Sequence, residues 1–186
     1  MKTHLHANLR LVKPLAILLL LCFSFYLNGQ STDLVIIGKS FSNPISLKAS
    51  LPVDVITMEV SYSNELLSNL KQALEDYPSL KNIHLFSETG THSLQLGSDD
   101  FDVTDLNVSS SFFNDLENVK NNGINFFVYS CSLAGNEDGK TFLSELSNKT
   151  GFNVLSTANC NSVGGEDYVF DFSTSGNLIT TTSISH

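Results

Sequence analysis

Short apolar runs alternate along this chain with segments of helical spacing. Residues 34–37 form a continuous apolar run that ends at Gly38. A second run covers residues 53–58, with Pro52 at its entrance, where a missing N–H removes no ladder bond. The pattern then changes: Leu66, Leu67, Leu70, Ala73, Leu74 and Tyr77 recur on one helical face, which predicts a helix over 64–76 with Ser63 as cap and Pro78 as stop. Asn82–Phe86 reads as a third strand. Residues 92–96 and 100–103 alternate about a Gly-Ser-Asp turn and predict a hairpin. A second helix is expected over 111–121, with Phe112, Phe113, Leu116 and Val119 on one face and Gly123 as its stop. Asn125–Tyr129 reads as a buried strand, and Asp138 is placed to cap a helix that runs to Thr150 and buries Phe142, Leu143 and Leu146. Asn153–Ser156 is a further strand, and residues 168–172 and 178–182 are expected to close the chain as an edge pair.

Strands alternating with helices of roughly 12 residues imply right-handed crossovers. The fold class expected is therefore α/β, a mostly parallel sheet with helices on both faces and an inserted β-hairpin.

Residues 1–30 stand apart from this pattern. Lys2, Arg10 and Lys13 precede an apolar run at 15–27, and Asn28, Gly29 and Gln30 follow it. That three-part order is that of a secretory signal, and a run of about 13 residues is short of the roughly 20 that a spanning helix needs. The expected division is a signal peptide at 1–30 and one α/β domain at 31–186. Whether the signal is cleaved or kept as an anchor stays open. The chain is expected to be exported, to the periplasm, the cell surface or the medium.

Removing the signal sharpens the charge. Seven basic and nineteen acidic residues remain, a net charge of about −12. Such a surface repels phosphate backbones and argues against nucleic-acid partners. Arg10 is the sole arginine, so the domain from residue 31 has no guanidinium fork for a carboxylate or phosphate. Of the three cysteines, Cys131 and Cys160 lie in the domain. Cys131 follows Tyr129 and Ser130, just past the expected end of a strand, where open α/β sheets keep their active sites. It is the candidate nucleophile. Cys160 lies in the loop after the next strand, and a disulfide between the two thiols would remove that nucleophile.

The strings LKNIHLFSETGTHSLQLGS and INFFVYSCSLAGNEDGKTFLSELSNKTGFNVLSTA, with DLVII, VDVITME and GGEDYVFDF, occur in an order that identifies a family resemblance over residues 32–182. The chain resembles the caspase-like domain of unknown function found near the N-terminus of many very large bacterial surface and RTX-type proteins. The resemblance implies a caspase–gingipain type of fold and a cysteine-peptidase ancestry. In that family the third strand ends in Ser-His-Gly and the next in Gly-Cys, the His and Cys forming a dyad. Cys131 falls on the nucleophile position and Ser87 on the serine, while Glu88 stands at the histidine position, Thr89 at the glycine, and Ser130 at the glycine before the cysteine.

These departures bear on chemistry. An ordinary thiol is mostly protonated at neutral pH, and an imidazolium beside it stabilises the thiolate and later protonates the leaving amine. A carboxylate in that place disfavours the thiolate instead. Two functional readings follow. One is a catalytically degenerate interaction or surface module that binds a protein or peptide. The other is an active cysteine peptidase that uses Cys131 with His92 as a substitute base, acting on its own chain or on neighbouring proteins. His84, mid-strand between Ile83 and Leu85, reads as structural.

Asp99, Asp100, Asp102 and Asp105 form an acidic cluster around the hairpin and a weak Ca²⁺ candidate, since hard oxygen ligands suit that ion. No Walker loop, dinucleotide fingerprint or two-histidine metal motif occurs, and no cofactor is expected.

Overall fold

A computed structural model describes residues 31–116, 123–130, 133–158 and 170–176. Its centre is a six-stranded sheet in the order β2-β1-β3-β7-β8-β9. The strands are β1 (Asp33–Gly38), β2 (Ile56–Val60), β3 (Asn82–Phe86), β7 (Asn125–Tyr129), β8 (Asn153–Ser156) and β9 (Phe172–Ser173). All neighbours pair in parallel except β9, which runs antiparallel to β8. A second sheet of two-residue strands, β4 (Glu88–Thr89), β5 (Leu94–Gln95) and β6 (Asp100–Phe101), is antiparallel. The expected α/β architecture with its inserted hairpin is what the chain adopts.

Among the described residues five helices flank the sheet: α1 (Pro44–Ser50), α2 (Ser63–Asp76), α3 (Val103–Val108), α4 (Ser110–Leu116) and α5 (Glu137–Thr150). Alternation decides which face each covers. Leu34, Ile36, Ile83, Leu85, Phe126, Val128 and Val154 point to one face and form a core with buried residues of α2, α3, α4 and α5. Val35, Ile37, Phe86, Phe127, Tyr129 and Leu155 point to the other and meet Leu47 of α1 and Phe170. Among the described residues no helix is long and apolar enough to cross a membrane.

The strand expected over 53–58 begins three residues late. Val53 is fully exposed, and Val55 N–H bonds Pro52 O in a turn. β2 is an edge strand covered mainly on one face, so it reads by alternation: Ile56, Met58 and Val60 face the core, and Thr57 and Glu59 are exposed. Helix α1 was not expected; Pro44 at its first turn is the sequence signal. Helix α5 takes its cap from Asn136, whose Oδ1 accepts from Gly139 N–H at 2.9 Å, rather than from Asp138. Ser63 is the first residue of α2 rather than its cap. The helix expected over 111–121 is α4 as far as Leu116, and its remainder lies outside the described residues. So do the signal segment, residues 178–182 and residues 168–169 of the strand expected over 168–172, of which Phe172 belongs to β9.

A polar ladder runs across the amino ends of the parallel strands. Asp33, Asn82, Asn125 and Asn153 are register partners on β1, β3, β7 and β8. Asn82 Nδ2 donates to Asp33 Oδ1 at 2.9 Å, Asn125 Nδ2 to Asn82 Oδ1 at 3.2 Å, and Asn153 Nδ2 to Asn125 Oδ1 at 3.2 Å. A one-residue slip of any strand breaks this chain, so it reinforces the register that the hydrophobic faces already set.

Candidate functional site

The carboxyl ends of β1, β3, β7 and β8 carry small and hydroxyl residues: Gly38, Ser87, Ser130 and Ser156. Ser130 is buried one residue past the Phe86–Tyr129 register pair, and its N–H bonds Val128 O at 3.0 Å in a tight turn that ends β7. Its Oγ lies 3.3 Å from Ser156 Oγ, and Ser156 Oγ in turn donates to Val128 O at 3.4 Å. Ser87, next to it in the sheet, is 5% exposed, and among the described residues its Oγ has no hydrogen-bond partner. Cys131, the candidate nucleophile that follows Ser130, lies outside the described residues, as does Cys160, its candidate disulfide partner.

From Leu133 onward the chain is held tightly. A 3-10 turn, Leu133–Gly135, leads into α5 with Leu133 and Ala134 fully buried. Gly139 in the first turn of α5 lies directly over it: a Cβ there would stand 1.8 Å from Leu133 O. A Cβ on Gly135 would stand 2.9 Å from Ala158 O. These two glycines let the segment after Cys131 seat against the sheet.

Glu88, which the sequence resemblance set at the histidine position of a dyad, is exposed and belongs to β4. Its backbone N–H bonds Ser40 Oγ at 3.4 Å, and Ser40 Oγ also donates to Gln95 O. His92, the substitute base of the peptidase reading, is exposed. Its Nδ1 is 2.9 Å from Thr91 Oγ1, and with Val103, Asp138 and Thr141 it lines an open depression of about 310 Å³. Among the described residues that lining lies on the flank of α3 and α5 and includes none of Ser87, Glu88 or Ser130.

His84 is buried on the second face of β3, stacked on Phe127 with ring centroids 4.9 Å apart. Its Nε2 lies 3.4 Å from Asp33 Oδ1 and its Nδ1 3.0 Å from Tyr129 Oη. A carboxylate only accepts, so Nε2 carries the hydrogen, and in the neutral ring Nδ1 then accepts from the Tyr129 hydroxyl. The His84 hydrogen bond, with help from Thr32 and Asn82, outweighs burial and holds the Asp33 carboxyl down at about 2. Burial, with the Asp33 charge beside it, pushes the Tyr129 phenol well above its usual value. Sequence reading missed this chain; the signal was an acid or amide opening each of four parallel strands.

The acidic cluster is dispersed into internal hydrogen bonds. Asp102 Oδ1 accepts from Thr104 N–H at 2.6 Å and Asp105 N–H at 3.3 Å, and Asp105 Oδ2 accepts from Asp102 N–H at 3.0 Å, a capping box for α3. Asp99 Oδ2 accepts from Ser63 N–H at 2.9 Å and Ser63 Oγ at 2.5 Å. Those bonds lower the Asp99 carboxyl, whereas burial and then the charges of Asp102, Asp99 and Asp100 raise that of Asp105. Among the described residues no three His, Cys, Asp or Glu side chains converge to hold a metal ion.

A family model described as "Domain of unknown function (DUF4347)" matches residues 34–182. No curated protein matches the chain.

Proposed function

We propose that this chain, which belongs to the DUF4347 family of domains of unknown function, is a catalytically degenerate caspase-like domain. It is exported through residues 1–30 and acts as an interaction module at the cell surface. The observation that carries this reading is Glu88. A carboxylate follows Ser87 at the end of β3 where the family's dyad needs an imidazole, and its main chain is tied back to Ser40.

The chemistry follows from charge. A carboxylate at this strand end raises the cost of forming the Cys131 thiolate and has no proton to give a leaving amine at neutral pH. The substitute has other company: His92 lines a depression with Val103, Asp138 and Thr141, and its Nδ1 is engaged by Thr91 Oγ1. What remains is a rigid α/β body with an acidic surface, suited to binding a protein or peptide rather than to cutting one.

The test is a cleavage assay of the full chain against a mixed peptide library, with Cys131→Ala and His92→Ala variants alongside. The expected result is no cleavage that depends on Cys131. Turnover that both substitutions abolish and Glu88→Ala spares would sink the reading and establish a peptidase with His92 as its base.

A further inference from the structure

The central sheet ends in two unequal edges. β9 is two residues long, whereas β2 offers five, and among the described residues β2 pairs with β1 alone. Val60 O accepts from Lys39 N–H across that pairing at 2.8 Å. Main-chain groups of successive residues point to opposite sides of a strand. Ile56, Met58 and Val60 therefore serve β1, and the N–H and C=O groups of Thr57 and Glu59 face away from the sheet. An edge of this kind is a template for another strand.

Both ends of the template are closed off. Val55 N–H bonds Pro52 O at 3.2 Å, and Ser61 N–H bonds Glu65 Oε2 at 2.6 Å. A second β2 running antiparallel matches what remains in one register. With Met58 on the twofold axis, Thr57 of each copy exchanges both main-chain bonds with Glu59 of the other, which uses every outward group. A slip by one residue sets outward groups against inward ones. A slip by two residues one way places Glu59 opposite Glu59, and the other way it needs Val55 N–H, which is taken.

The surroundings also fit a second copy. Of the four large apolar side chains exposed among the described residues, three flank this edge: Val53 before β2, Tyr62 after it, and Ile45 one helical turn from Lys48 on α1. Antiparallel pairing sets the Tyr62 end of each copy against the Val53 end of the other. A charge in mid-edge ordinarily guards against such pairing. Here Lys48 bonds Glu59 and, with the charge of Lys39, lowers its carboxyl. Lys39 and Lys48 offset Asp54 and Glu59, so two copies of a strongly acidic domain meet at this edge with little net charge.

We propose that β2 is a self-association edge, where a second copy of this chain adds antiparallel about a twofold axis at Met58 and joins the two central sheets. The contact is short, so the pair is weak, roughly micromolar or weaker. The inference goes beyond the interaction-module reading, and none of its outcomes depends on Cys131.

Sedimentation equilibrium of the full chain, from micromolar to millimolar concentration, is expected to show monomer and dimer in exchange. Thr57→Pro removes an outward N–H that the sheet does not use, and Thr57→Glu sets like charges opposite Glu59 of the other copy. Each should weaken the dimer at least tenfold and keep the far-UV circular dichroism of the wild type. Cross-linking then reads the register, in a chain whose Cys22, Cys131 and Cys160 are replaced by serine. Residues directly opposite in a non-hydrogen-bonded pair stand about 4.5 Å apart, within disulfide reach, whereas diagonal ones stand about 7–8 Å apart. Met58→Cys therefore oxidises to a covalent dimer at least tenfold faster than Thr57→Cys, whose two copies lie on the diagonal. A chain that stays monomeric at millimolar concentration, a dimer that Thr57→Glu leaves intact, or equal cross-linking at the two positions would overturn the proposal.

Discussion

Gly139→Ala is expected to be among the most damaging single substitutions in this chain. Its added Cβ would stand 1.8 Å from the carbonyl oxygen of Leu133 and 2.8 Å from the carbonyl carbon. Both are backbone atoms of Leu133, fully buried at the start of the 3-10 turn, so no side chain can swing away to relieve the contact. Either α5 lifts from the sheet or the turn after Cys131 moves. Overpacking a close-packed site typically costs 1–3 kcal/mol, and a backbone clash this deep should cost at least about 3 kcal/mol. For a domain of this size that is a melting temperature lower by roughly 10 °C. Thermal denaturation followed by circular dichroism measures it. A change of less than about 2 °C would show that Gly139 is not the contact that seats α5.

Asp33→Ala should rank next. Asp33 ends the amide ladder at Asn82 and also accepts from His84 and Thr32, so its loss leaves a buried imidazole without its acceptor. Leaving buried donors unpaired puts the cost at about 2–3 kcal/mol in chemical denaturation at neutral pH. Asp33→Asn should recover part of it, because an amide oxygen still accepts from Asn82. The sign of the pH dependence follows from the lowered carboxyl. Its ordinary value is 3.8 and its folded value about 2. The wild-type chain therefore holds this contribution in full above about pH 4 and loses it as pH falls through 2. The side chain is 31% exposed, so screening reduces the contribution to about 1–2 kcal/mol. The alanine variant lacks that acid-side slope. Equal losses in both chains between pH 4 and 2 would remove Asp33 from the explanation.

Much of the fold was legible because its central strands satisfy both tests that a sequence offers. Asn82–Phe86, Asn125–Tyr129 and Asn153–Ser156 are apolar, flanked by polar residues, and buried on both faces, and each begins and ends where the pattern says. β2 failed the same test because it lies at the edge: its signal is alternation through Glu59, which a search for continuous apolar runs passes over. Short helices were harder still. α1 and α3 bury one residue each, Leu47 and Leu106, too few to set up a periodicity. The aspartates at 102 and 105 read as surface charge in the sequence and prove to be the capping box of α3.

The site was legible only in its residue types. A hydroxyl at the end of each central strand and a glutamate after Ser87 are visible in the string. That Ser40 ties Glu88 to Gln95, or that Asp99 reaches α2, depends on contacts across 36 to 55 residues of chain, which spacing along a sequence does not encode.

The proposal that this site has lost its base is tested most directly by the ionisation of one thiol. After reduction, the rate of iodoacetamide alkylation at Cys131 is followed against pH by mass spectrometry of its peptide, in the wild-type chain and in Glu88→Gln. A site that has lost its base predicts an apparent thiol pKa above the ordinary value of about 8.5, falling when the Glu88 charge is removed. A wild-type thiolate already formed below about pH 7, and unchanged by Glu88→Gln, would contradict it and restore Cys131 as an activated nucleophile.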